Sequence, residues 1–113
     1  MKLWYVAHPY TGDRYRNDKL AITRTNHLID RGFFCLGIIT MTHPLQEFVS
    51  RNVGFWYAYD LELLAKCDGI ILCPKWEHSI GCIIEKEYAE KYGLDVLYYD
   101  EIMNTNPWRK CYD

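Results

Sequence analysis

At 113 residues, half of them apolar and a quarter charged, the chain has the profile of a single globular domain, which excludes disorder. A formal net charge of −2 provides no electrostatic drive toward nucleic acid or an anionic membrane surface. No apolar run approaches the roughly 20 residues that span a bilayer.

The opening "KLWYVAHP" is a short apolar run ended by a proline turn and suits a buried strand, not a signal peptide. "PYTGDRYRND" has loop composition, with Asn17 or Asp18 able to cap a helix over about 18–31 that Gly32 stops. "FFCLGIIT" is a second buried-type strand. "MTHPLQEFVSRNVG" mixes signals and reads as a loop with a short helical piece. Residues 55–66 read as a helix closed by "CDG", "GIILCP" as a third strand, 80–92 as a helix ended by Gly93, and "DVLYY" as a fourth strand. Strands with continuous apolar runs, alternating with helices, predict one α/β domain in three layers. Its sheet is expected to be doubly wound and mostly parallel, flavodoxin-like or Rossmann-like. Ligands of such sheets bind beyond the carboxyl ends of the strands. That edge gathers "AHPYTG", the Thr40–His43 turn and "PKWEHSIG".

Five cysteines (Cys35, Cys67, Cys73, Cys82, Cys111) form no C-x-x-C pair, and the four histidines have no zinc spacing with them. The reading is a reduced, cytoplasmic protein without metal or cofactor. Ten tyrosines and four tryptophans either line a pocket or subunit contact or fill a bulky core.

Two carboxylates break an apolar pattern. Asp60 shares a helical stripe with Trp56, Leu63, Leu64 and Cys67, and Glu85 shares one with Gly81, Tyr88, Ala89 and Tyr92. Burying a carboxylate costs several kcal/mol unless it is compensated. Either each reaches water at the edge of its stripe, or both face a substrate cleft. Glu85 lies near a helix N-terminus, where the dipole favours its ionised form and a positioned carboxylate can act as a nucleophile. Ser79 and the backbone around Gly81 occupy the same helix mouth, where N–H groups can receive a phosphate and glycine permits close approach.

Taken in order, "YVAHPYTG", "DLELLAKCDGIIL", Lys75-Trp76 and "EHSIGCIIEKEYAEKYG" resemble the nucleoside 2-deoxyribosyltransferase-like superfamily, closest to its small branches and related to the 2′-deoxynucleoside 5′-phosphate N-hydrolases. The specific parts are the Asp60-to-Asp68 spacing and the S-x-G-x-x-x-E pattern of Ser79, Gly81 and Glu85. The resemblance implies that Glu85 attacks the anomeric carbon, that Asp60 assists proton transfer to the departing base, and that Tyr5 orients Glu85. It further implies a nucleoside or nucleotide as the small-molecule partner and a homo-oligomeric assembly. Ser79 stands where the transferases carry an aspartate for the sugar 5′-hydroxyl and the monophosphate hydrolases a serine for the 5′-phosphate; it also suits a plain helix cap. Thr11, Gly12 and Arg14 can add phosphate contacts, His8 can be a ligand contact or a structural histidine, and Phe55, Trp56 and Tyr57 can stack on a base, pack a dimer contact or pack in the core. The first loop departs from the Gly-Ser-x-Arg arrangement of the monophosphate hydrolases. The expected activity is therefore cleavage or exchange of an N-glycosidic bond, with a non-catalytic nucleotide-binding module as the alternative.

Overall fold

The computed structural model describes residues 1–105; Cys111 and the "NPWRKCYD" segment lie outside them. Four strands, β1 (Leu3–Ala7), β2 (Phe34–Gly37), β3 (Gly69–Leu72) and β4 (Asp95–Tyr98), form one sheet in the order β2-β1-β3-β4. Every pairing is parallel. Helices α1 (Arg14–Asp30), α2 (Ile38–Phe48), α3 (Val53–Leu64), α4 (Ile80–Lys91) and α5 (Tyr99–Asn104) complete the domain. The fold is the doubly wound α/β arrangement expected from the alternation of apolar runs and amphipathic segments.

Strand alternation splits the core in two. Tyr5, Ala7, Ile70 and Leu72 point to a face packed with Leu64 of α3 and Cys82 and Ala89 of α4. Trp4, Val6, Ile71 and Cys73 point to the other face, packed with Leu28 of α1 and Tyr99 of α5. The register sets Tyr5 beside Leu36 on one side and Ile70 on the other, in the middle of the sheet and fully buried. Gly69 begins β3 where no side chain fits: a Cβ there would run into the Trp4 ring and lie 2.8 Å from the Asp95 carbonyl oxygen.

Several local boundaries differ from the sequence expectation. Asp13, not Asn17 or Asp18, caps α1, accepting from the Arg16 N–H at 3.1 Å. Asn17 instead donates to the Tyr10 carbonyl at 3.0 Å, tying the first loop to the helix. The second strand stops at Gly37, and Ile38–Phe48 is helical through Pro44. The Thr40–His43 segment is therefore helix, not turn. Tertiary packing overrides the β-branched local preference, because Ile38, Ile39 and Thr42 are all buried. Helix α3 starts two residues early at Val53, where the Asn52 side chain accepts from Phe55 N–H at 2.8 Å. The fourth strand ends at Tyr98, and Tyr99 opens α5.

Among the described residues, no helix is long and apolar enough to cross a membrane.

Candidate active site

The carboxyl ends of β1 and β3 open into a cavity of about 420 Å³, a size that accommodates a small organic ligand. Its floor carries Glu85 and Asp60, and its walls include His8, Thr11, Gly12, Trp56, Ser79 and Gly81. Except for Tyr5 and Phe55, the side chains and glycines given a site role in the sequence thus line one space, Arg14 and Tyr57 among them. Tyr5 lies beneath it and donates its hydroxyl hydrogen to Glu85 Oε2.

Each position follows from its element. Asp60 sits midway along α3, one turn after Trp56. Glu85 is in the second turn of α4, whose first turn is capped by Ser79: the Ser79 Oγ accepts from Cys82 N–H at 3.3 Å. That cap uses the oxygen of Ser79 and leaves its hydroxyl hydrogen free to donate. Gly12 has φ +103°, a left-handed backbone that glycine adopts without strain. A Cβ at Gly81 would meet Tyr57 at 3.5 Å, an ordinary contact.

Burial governs the electrostatics. Glu85 is 7 % exposed, and desolvation pushes its carboxyl up to about 8, with the Tyr5 hydrogen bond pulling down and the nearby Asp60 pushing further up. Desolvation raises Asp60 to about 7, and its Oδ1 is buried with no hydrogen-bond partner. The expected preference of Glu85 for its ionised form is therefore reversed: burial outweighs the helix terminus and favours the neutral acid. Tyr5 is held neutral by burial and by the two acids. Cys82 also lines the cavity, but burial raises its thiol far above the range of a reactive thiolate.

His8 is committed to the fold. Its Nδ1–H donates to the Pro9 carbonyl at 2.8 Å, which leaves Nε2 to accept from Arg24 at 2.7 Å. Burial lowers its pKa, so a neutral ring with both nitrogens engaged contributes wall surface and no hydrogen bond to a ligand.

Sequence reasoning did not single out Tyr10, Gln46 or Arg51, which also line the cavity. Gln46 and Arg51 fall in the segment whose local signals conflict. Arg14 and Arg51 make no ion pair among the described residues, so the cavity mouth offers two uncompensated positive charges. Among the described residues no cluster of three or more His, Cys, Asp or Glu side chains could hold a metal ion.

The family model described as a domain of unknown function (DUF4406) matches residues 1–98. The chain belongs to this family. The matched range contains every cavity-lining residue of this DUF4406 domain, together with Tyr5 beneath them. No curated protein matches the chain.

The buried Tyr5–Glu85 contact in the DUF4406 fold carries a test of its own. Tyr5→Phe removes the one hydrogen bond that favours the Glu85 carboxylate, so the pKa of Glu85 rises. Any pH profile that requires Glu85 ionised should move its acidic limb upward by about half a unit or more, consistent with a buried hydrogen bond to a charged group. An unmoved limb in a folded Tyr5→Phe protein would separate Tyr5 from the chemistry.

Proposed function

We propose that the protein cleaves or exchanges the N-glycosidic bond of a nucleoside 5′-monophosphate or deoxynucleoside, with Glu85 as nucleophile. The observation that carries this reading is the placement of two protonatable carboxyls, Asp60 and Glu85, in one cavity of nucleotide size. Breaking such a bond develops oxocarbenium character at C1′, which a carboxylate beside it captures or stabilises. The departing base needs a proton, and a carboxyl raised by an apolar surround can hold one at neutral pH.

The reaction needs the pair in one particular state: Glu85 ionised and Asp60 protonated. Burial holds both carboxyls toward their neutral forms, so ligand binding has to set them apart. A base seated against Asp60 excludes water and raises Asp60 further, while positive charge growing on the sugar lowers Glu85. The Tyr5 hydroxyl already favours charge on Glu85 Oε2. The 5′-phosphate fits the mouth where Ser79 has a free hydroxyl hydrogen, Gly12 leaves open backbone, and Arg14 supplies charge. The test is free base released from a panel of nucleosides and 5′-monophosphates, read by chromatography.

A second reading draws on the same titration. A neutral Glu85 binds without attacking, so a nucleotide-binding module without turnover also fits the site; calorimetric binding with no product over hours would favour it. Assembly into a homo-oligomer belongs to the proposal as well. Val53, a cavity residue, is 58 % exposed, and Phe48 on the neighbouring turn is 91 % exposed, apolar surface that a second copy would cover. Sedimentation equilibrium should give a mass of at least two chains; a monomer at all concentrations would remove this part.

A further inference from the structure

Resting on that reading, we infer that the base end of the cavity recognises its occupant by stacking and shape and not by hydrogen bonds to the base edge, so the protein accepts several bases of one ring size. With the phosphate at Ser79 and Gly12 and C1′ at Glu85, the wall left for the base is built from α2 and α3: Ile39, Thr42, Gln46, Val53, Trp56 and Tyr57.

Except for the Tyr57 hydroxyl, the polar groups on that wall are engaged within the protein. Gln46 has four hydrogen-bonding positions, and all four are occupied. Its Oε1 accepts from the Arg51 N–H at 2.9 Å and from Trp56 Nε1–H. Its Nε2 donates to Ser50 Oγ at 3.3 Å and to the Arg51 carbonyl at 3.2 Å. Trp56 has one donor, and it is the one given to Gln46. The Thr42 hydroxyl donates to the Ile38 carbonyl at 2.8 Å. At the near side Tyr10 is paired through its hydroxyl with His43 Nδ1 at 2.6 Å.

The groups that remain do not discriminate. Tyr57 carries a hydroxyl that donates or accepts by rotation, and Asp60, whose proton goes to the departing base, meets a ring acceptor that bases of one ring size have in common. Arg51 is exposed, with its guanidinium lying 5.5 and 5.8 Å from the Phe55 and Trp56 ring centroids; facing water, it forms contacts that water replaces. A site that reads an edge by buried hydrogen bonds rejects the wrong partner by about 10⁴-fold or more, whereas an apolar pocket separates similar shapes by about 10- to 200-fold. The wall seen here is of the second kind. The Gln46 network serves instead to fix the Trp56 indole as a rigid stacking surface.

The experiment measures kcat/KM for base release, and Kd with the Glu85→Gln protein, across the 5′-monophosphates of adenine, hypoxanthine, guanine and unsubstituted purine, then of cytosine, uracil and thymine. Within each ring size the values should agree to about tenfold, and Trp56→Ala should weaken all of them together by about tenfold or more. A spread beyond about 10³-fold within one ring size overturns the inference and leaves the glycosidase reading standing. Binding without release anywhere on the panel removes the glycosidase reading, and the Kd spread then judges the inference by the same limits. No binding to any member overturns both.

Discussion

Replacing Glu85 by alanine is expected to lower base release by about 10³-fold or more while the fold survives. The expectation follows from the site's construction. Glu85 is the carboxyl held by the Tyr5 hydroxyl, and no other carboxylate among the cavity-lining residues except Asp60 can take its place. A nucleophile that opens a covalent route cannot be compensated by binding alone, and single removals of such groups cost about as much as dismantling the whole unit. Asp60→Asn should cost less, about 10²- to 10⁴-fold, because it removes a proton donor and keeps the shape. Both losses should fall on kcat, with Kd for a 5′-monophosphate within about tenfold of the parent, since the proposed phosphate contacts at Ser79, Gly12 and Arg14 are untouched. Release in Glu85→Ala within tenfold of the parent would remove the nucleophile assignment.

The second large effect is on stability. Both carboxyls keep their protons to higher pH in the folded protein than in the unfolded chain: Glu85 to about 8 against an ordinary 4.5, and Asp60 to about 7 against 3.8. The folded state therefore binds more protons between these limits, and stability falls as pH rises. The contribution is whole near pH 4, falls steadily as pH rises through 5 and 6, and is gone once pH has passed 7 for Asp60 and 8 for Glu85. Each proton corresponds to on the order of 4 kcal/mol when it leaves, which for a domain of this size is a fall in Tm of about 10 °C or more between pH 5 and pH 9. Glu85→Gln keeps the shape and the Tyr5 contact without a titrating group. Its Tm should match the parent near pH 5 and exceed it clearly at pH 9. Equal Tm profiles for the two proteins across that range would mean that Glu85 is solvated and not buried as the structure has it.

Much of this was legible in the chain because it depends on local periodicity. The runs "LWYVA" and "GIIL" are buried strands by composition alone, and parallel order follows from their alternation with helices. Asp60 and Glu85 stood out because each interrupts an apolar helical stripe. Ser79 was readable as a cap because a serine just before a helix accepts from its free N–H groups. What failed is what depends on distant partners. Ile38, Ile39 and Thr40 continue an apolar, β-branched run, yet they begin a helix. The ionisation of Glu85 turned on its burial, which a helix-terminus rule does not register. Gln46 and Arg51 carried no local pattern at all; their role appears only when Trp56, ten residues beyond Gln46 along the chain, closes the hydrogen-bond network.

The most direct measurement is a crystal structure of the Glu85→Gln protein with a nucleoside 5′-monophosphate bound. The expected result is one ligand spanning the cavity, its C1′ about 3–3.5 Å from the side-chain oxygen at position 85, its base between Trp56 and Asp60, and its phosphate at Ser79. A ligand seated elsewhere, or one whose sugar turns C1′ away from residues 60 and 85, would contradict the shared action of these two carboxyls.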